Sequence, residues 1–190
     1  LSIMFPLVTT LEEFEASRAL LDHEVERMAK FGRPGPEHIK VGTMLEVPAM
    51  VWQLDKLLPR IDFLSIGTND LMQFFFAADR GNPMMGTRYD MLSLAPLRML
   101  DHVRETCAHH DVPVSLCGEM GGRPLQAMAL LGLGFRKFSV PSASIGPVKR
   151  MLRSTNADRL ENAVRAMMDA PPENIRAELE NIADTQGIKL

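Results

Sequence analysis

Five times along this 190-residue chain, a short apolar run is followed by a polar or glycine turn and then by a helix-compatible segment. The runs fall at residues 2–7, 39–45, 63–66, 114–116 and 138–140. Strands that are apolar on both faces and alternate with helices predict a parallel sheet covered by helices, hence an α/β fold. A doubly wound sheet and a barrel both satisfy that pattern. No G-x-G-x-x-G and no G-x-x-x-x-G-K-S/T follows any of the runs, which counts against the nucleotide-binding open sheets. Thr10-Leu11-Glu12-Glu13 fits a capping box, and Leu11, Phe14, Leu21, Val25 and Met28 form one helical stripe that Gly32, Pro34 and Pro36 terminate. A further helix is predicted over residues 49–58, stopped by Pro59. Beyond Ile145 the chain turns helical, with segments 157–168 and 173–182 separated by Pro171-Pro172.

At 46% hydrophobic, the chain can bury a sizeable core. A formal charge of -3 gives no reason to expect nucleic acid as a partner. No apolar stretch approaches the ~20 residues of a membrane span, and no basic, apolar leader precedes Leu1, so a cytoplasmic protein with no membrane partner is expected. Cys107 and Cys117 lack metal-ligand partners at a recognisable spacing and are expected to be free thiols. The chain opens directly on the apolar run "LSIMFPLVTT" without an initiator methionine, and we expect it to be a piece of a longer protein.

The polar residues sit at the carboxyl ends of the runs. Thr9 and Thr10 follow the first, Glu46 the second, Asn69 and Asp70 the third, Cys117-Gly118-Glu119 the fourth, and Ser142 and Ser144 the fifth. In parallel α/β architectures that rim carries ligands and chemistry. Helix capping would explain Thr68, Asn69 or Asp70 alone, but not a Glu at one strand end and a Cys-Gly-Glu at another. Glu46 and Asp70, from neighbouring strands, can converge on one Mg²⁺, a hard cation that takes one or two carboxylates and completes its shell with water and substrate oxygens. The competing expectation for Glu46 is an ion pair across the rim. Asp79-Arg80-Gly81-Asn82 offers a planar guanidinium suited to phosphate or carboxylate, unless Arg80 is spent on a salt bridge to Asp79 or Asp90. Cys117 stands beside Gly118, Gly121 and Gly122, where backbone can approach a ligand closely, and its thiol could carry a proton; otherwise it is a small buried hydrophobe. Cys107 is expected to pack inside a helix, and His109-His110 to lie near that helix's C-terminus.

The stretches "MLEVPAM", "DFLSIGTNDLMQFFFAADRGNP" and "VSLCGEMGG", in this order and spacing, resemble the phosphoenolpyruvate (PEP)-binding domain of PEP-protein phosphotransferase, enzyme I of the bacterial sugar phosphotransferase system. The likeness runs from "IMFPLVTT" to about Ser154, and "FFFAADRGNP" leans toward the nitrogen-related paralogue. The resemblance implies the C-terminal part of a (β/α)8 barrel, strands four to eight over residues 1–154, with packing helices of the same domain over 155–190. It implies Mg²⁺-dependent transfer of the phosphoryl group of PEP to a histidine on a separate N-terminal domain, with release of pyruvate, as the first step of a phosphorelay to a phosphocarrier protein. By the same resemblance Glu46 and Asp70 are the Mg²⁺ ligands, Asn69, Asp70 and Arg80 bind substrate, and Cys117 protonates the methylene carbon of enolpyruvate. A homodimer is implied as well.

The departure lies in extent. A (β/α)8 barrel needs eight strands and typically ~250 residues; the resemblance implies that the missing part carries the phosphorylated histidine and two substrate-binding arginines, so the chain alone is expected to be inactive, and its unpaired strand edges predict that it self-associates or is a remnant of a longer protein. None of its five histidines matches the phosphorylated one. Pyruvate phosphate dikinase and PEP synthase share much of this wording but tend to read "CGQ" where this chain has Cys117-Gly118-Glu119. They are the enzyme alternative, and a non-catalytic PEP-sensing module is the other.

Overall fold

The computed structural model describes residues 1–33, 35–79, 81–82 and 89–190. Its sheet has five strands: β1 (Ser2–Phe5), β2 (Lys40–Leu45), β3 (Phe63–Gly67), β4 (Val114–Cys117) and β5 (Phe138–Ser139). All neighbours are parallel, and the spatial order β1-β2-β3-β4-β5 is the order along the chain. A doubly wound sheet reverses its strand order at a switch point; this one does not, so the winding is that of an arc of a barrel. Within this arc β1 and β5 each have a single neighbour.

Nine α-helices accompany the sheet among the described residues. Helix α1 (Leu11–Lys30) follows β1, with Thr10 as N-cap in the expected capping box: its side chain accepts from Glu13 N while Glu13 reaches back to Thr10 N. The predicted stripe packs weakly. Phe14 is its one buried residue, Leu11 and Leu21 pack partly against the core, and Met28 is exposed.

The predicted helix over 49–58 is corrected to two single turns, α2 (Pro48–Val51) and α3 (Leu54–Leu57), followed by a 3-10 turn at Leu58–Arg60. The apolar residues at 50, 51, 54, 57 and 58 keep their helical spacing and are all buried, but the chain breaks at Trp52 and Gln53. Trp52 is left 81% exposed, its ring 5.7 Å from that of His102.

Helix α4 (Thr68–Phe75) starts directly from β3, and α5 (Leu94–His109) leads into β4. Cys107 is fully buried in α5, as expected, and His110 caps the helix and meets Asp55 of α3 at 2.9 Å. Helix α6 (Pro124–Gly132) is buried over most of its length, because α7 (Ile145–Arg153), α8 (Ala157–Asp169) and α9 (Ile175–Gln186) cover it. Asn156 and Asn174 cap α8 and α9, accepting from Arg159 N and Ala177 N at 3.0 Å. Leu160, Val164, Met167, Leu179 and Ile182 complete one continuous core with the sheet residues Val41, Leu45, Leu64, Ile66 and Leu116.

One ionic tie spans 86 residues. Arg176 at the start of α9 grips Asp90 through Nε and Nη2, both at 2.7 Å, while Leu92 N donates to the same carboxylate at 2.9 Å. The Arg176 guanidinium holds the Asp90 carboxyl below its usual value of 3.8, and Asp90 raises Arg176 in turn. A depressed carboxylate contributes stability that is present above its unfolded value and is lost as pH falls through the folded one. The melting temperature of Arg176→Ala should therefore lie below that of the parent at neutral pH, and the gap should close as pH falls below about 4. A gap that stays constant down to pH 2 would show that packing, not charge, accounts for the loss.

Candidate functional site

The parallel ladder sets the strand ends side by side. Phe5 faces Thr43, Leu45 faces Ile66, Gly67 faces Cys117 and Cys117 faces Ser139. Glu46, Asn69, Asp70 and Cys117 thereby come to one rim, since each lies at or within a few residues of these ends.

Glu46 follows β2 and is only 5% exposed. One carboxylate oxygen, Oε2, accepts from Leu7 N at 2.8 Å. The rest of the side chain lies over Gly67 at the end of β3: a Cβ there would stand 2.5 Å from Glu46 Cγ and 2.7 Å from Oε1. Only glycine leaves room for the carboxylate in this slot. Among the described residues no Lys, Arg or His forms an ion pair with Glu46, which removes the competing expectation as far as those residues go. A buried carboxylate satisfied on one side by a neutral donor retains acceptor capacity for a cation.

Leu7 donates that hydrogen bond from an uncommon backbone. The first strand was expected to run through residue 7 but ends at Phe5, and Leu7 takes φ +51°, in the left-handed region that costs an L-residue roughly 1–2 kcal/mol.

The tripeptide after Gly67 does not cap its helix. Gly67 itself is the N-cap of α4, without a side-chain hydrogen bond, and Thr68, Asn69 and Asp70 form the first turn. The side chains of Thr68 and Asn69 turn to the β4 loop instead. Thr68, fully buried, donates from Oγ1 to Cys117 O at 2.9 Å, and Asn69 Oδ1 accepts from Glu119 N at 3.1 Å. Because a backbone N–H occupies the Asn69 oxygen, its NH₂ is the end left to donate elsewhere. Gly118 makes this clasp possible: its φ is +108°, and a Cβ would fall 2.5 Å from Thr68 Oγ1 and 3.0 Å from Asn69 Oδ1. Asp70, half-buried in the first turn of α4, places a negative charge where the helix dipole favours it.

Cys117 closes β4 and is half-buried. Its Sγ donates to Ile66 O at 3.3 Å and accepts from Ser65 Oγ at 3.6 Å, which ties the thiol to β3. Sequence inspection passed over Ser65. The register supplies the missing signal, because Ser65 lies two residues before the Gly67 that faces Cys117. Arg80 lies outside the described residues. The two carboxylates proposed to neutralise it have other contacts: Asp90 holds Arg176, and Asp79 Oδ1 accepts from Gly81 N at 2.8 Å. No group of three or more His, Cys, Asp or Glu residues poised to hold a metal occurs among the described residues. Glu46 and Asp70 each offer carboxylate oxygens at the strand-end rim, the donor type that a hard cation takes.

Residues 1–157 match the family described as PEP-utilising enzyme, PEP-binding domain. The chain belongs to this family. This PEP-binding domain is 39% identical over 173 residues to proteins of Salmonella typhimurium and Escherichia coli named as the phosphoenolpyruvate-dependent phosphotransferase system; the match covers 90% of this chain and 23% of each of theirs. It is 36% identical over 162 residues to the phosphoenolpyruvate-protein phosphotransferase of Bacillus subtilis, covering 85% of this chain and 28% of that one. The chain thus spans about a quarter of the length of the curated relatives it matches. Among its described residues no helix is long and apolar enough to cross a membrane.

The two thiols of this PEP-binding domain differ in access. Cys107 is fully enclosed, and burial pushes its thiol up to about 12. Under native conditions at pH 8, iodoacetamide should alkylate the peptide bearing Cys117 and leave Cys107 unmodified until denaturant is added, as read by mass spectrometry. Equal labelling of both would contradict the packing of α5.

Proposed function

We propose that this chain is the PEP-binding barrel portion of a PEP-protein phosphotransferase, and that it binds PEP with Mg²⁺ at the rim formed by Glu46, Asn69, Asp70 and Cys117. The observation that carries the proposal is the buried Glu46 carboxylate in its glycine slot, within the same strand-end row as the Cys117 thiol. Residues 1–154 would form strands four to eight of the barrel and 155–190 its packing helices. The single-neighbour edges of β1 and β5 support the need for further strands.

Glu46 and Asp70 would hold Mg²⁺. Bound there, the cation would offset charge on the phosphoryl oxygens and polarise the bond to the leaving enolate. The NH₂ of Asn69, oriented by Glu119 N, would donate to a phosphoryl oxygen, and Arg80 would supply a guanidinium to the same group. Transfer to a histidine of another domain leaves the enolate of pyruvate. Cys117 would then give its proton to the methylene carbon: the S–H bond breaks, a C–H bond forms, and pyruvate and a thiolate result. The Ser65 hydroxyl, already directed at Sγ, would stay as a donor to that thiolate. A phosphocarrier protein is the proposed next acceptor, and a homodimer the proposed assembly.

The test uses the full-length protein with PEP and Mg²⁺. Glu46→Gln and Asp70→Asn should each lower phosphoryl transfer by about 100-fold or more while leaving the melting temperature within a few degrees of the parent. Cys117→Ala should slow pyruvate formation by roughly 10²-fold yet bind PEP nearly as well. Unchanged Mg²⁺ dependence in either carboxylate variant, or equal loss of binding and rate in Cys117→Ala, would overturn the corresponding assignment.

A further inference from the structure

Three described non-glycine residues have positive φ: Leu7, Ala77 and Asp111. Two have an ordinary reason. Ala77 and Asp111 directly follow the C-caps of α4 and α5, where a left-handed residue commonly ends a helix. Leu7 follows a strand, so that reason does not apply. Packing within this chain does not hold it there either, because the residue is 52% exposed. The same residue donates its N–H to Glu46 Oε2, across 39 residues and at 2.8 Å. A hydrogen bond to a buried carboxylate is among the stronger ones a backbone amide can make and can offset the local strain.

We infer that Leu7 is a positioning residue: its strained backbone ties Glu46 Oε2 to the end of β1, so that Oε1, lying over Gly67, is the oxygen presented to a divalent cation. The inference rests on Glu46 being a cation ligand. Two constraints then fix one carboxylate. The Leu7 N–H immobilises one oxygen, and the absent side chain of Gly67 makes room for the other. Thr43 stiffens the same corner, its buried hydroxyl donating to Phe5 O at 2.9 Å and holding the last residue of β1 to β2. The side chain of residue 7 is immaterial to this role; what counts is that the residue tolerates the left-handed region. Glycine adopts that region freely, while β-branched valine resists it.

Cation binding to the full-length protein separates these cases, with Mn²⁺ alone as the probe and free Mn²⁺ followed by electron paramagnetic resonance. Leu7→Val should weaken Mn²⁺ binding by about 5-fold or more, because valine draws the backbone out of the left-handed region and withdraws the N–H. Leu7→Gly should bind within about 3-fold of the parent and melt no lower, because it keeps the donor without the strain. Replacing residue 7 by the α-hydroxy analogue of leucine, which exchanges the N–H for an ester oxygen, should reproduce the valine effect without altering the side chain. Parent-like Mn²⁺ affinity in both the valine and ester forms, with Glu46→Gln impaired, would overturn the role of Leu7 and leave the cation site standing. Parent-like affinity in Glu46→Gln would overturn the cation site and this inference together.

Discussion

Everything at the rim depends on the register of the parallel ladder. A slip of one residue between β3 and β4 would move Cys117 off Gly67 and turn alternate side chains to the opposite face. The thiol would lose both Ile66 O and Ser65, and the Thr68 and Asn69 contacts to the β4 loop would fail with them. The register is pinned by packing away from the rim, where Leu64, Ile66 and Leu116 belong to the same buried cluster as Leu71 of α4, Leu97 of α5 and Leu130 of α6. Core and site are therefore one problem: apolar residues in the middle of each strand place the polar ones at its end.

Much of this was legible beforehand. The five apolar runs correspond to five strands, with boundaries off by at most two residues, because a buried parallel strand leaves a continuous apolar signal. The capping box at Thr10 and Glu13 was equally plain, being local. Barrel against open sheet was not, since composition carries no information on strand order; the sequential order of the folded sheet decides for the barrel arc. Residues 49–58 misled, because the helical spacing of their apolar residues survives in two separate turns and only the Trp52-Gln53 break betrays the difference.

At the site, the residue types were visible and their attachments were not. Glu46, Asn69, Asp70 and Cys117 stand out as polar residues after apolar runs. That Glu46 would be held by a main-chain N–H of residue 7, or that Asn69 would be turned by Glu119 N, depends on backbone geometry that no side-chain pattern encodes. In the sequence Gly118 reads as a glycine that lets backbone approach a ligand, and Gly67 only as the residue after an apolar run. In the fold they are vacancies shaped for Glu46 and for Thr68 with Asn69.

The sequential strand order also bears on how the chain is made. In a sheet wound without reversal, each strand after β1 leaves the ribosome with a partner already synthesised. Each βα unit can dock as it emerges, on an edge that the preceding unit has just exposed. The tie from Arg176 back to Asp90 belongs to another stage, since it spans 86 residues and Arg176 is translated only after all five strands. Vectorial synthesis would thus build the rim strand by strand and fasten the Asp90 segment only when the tail helices arrive.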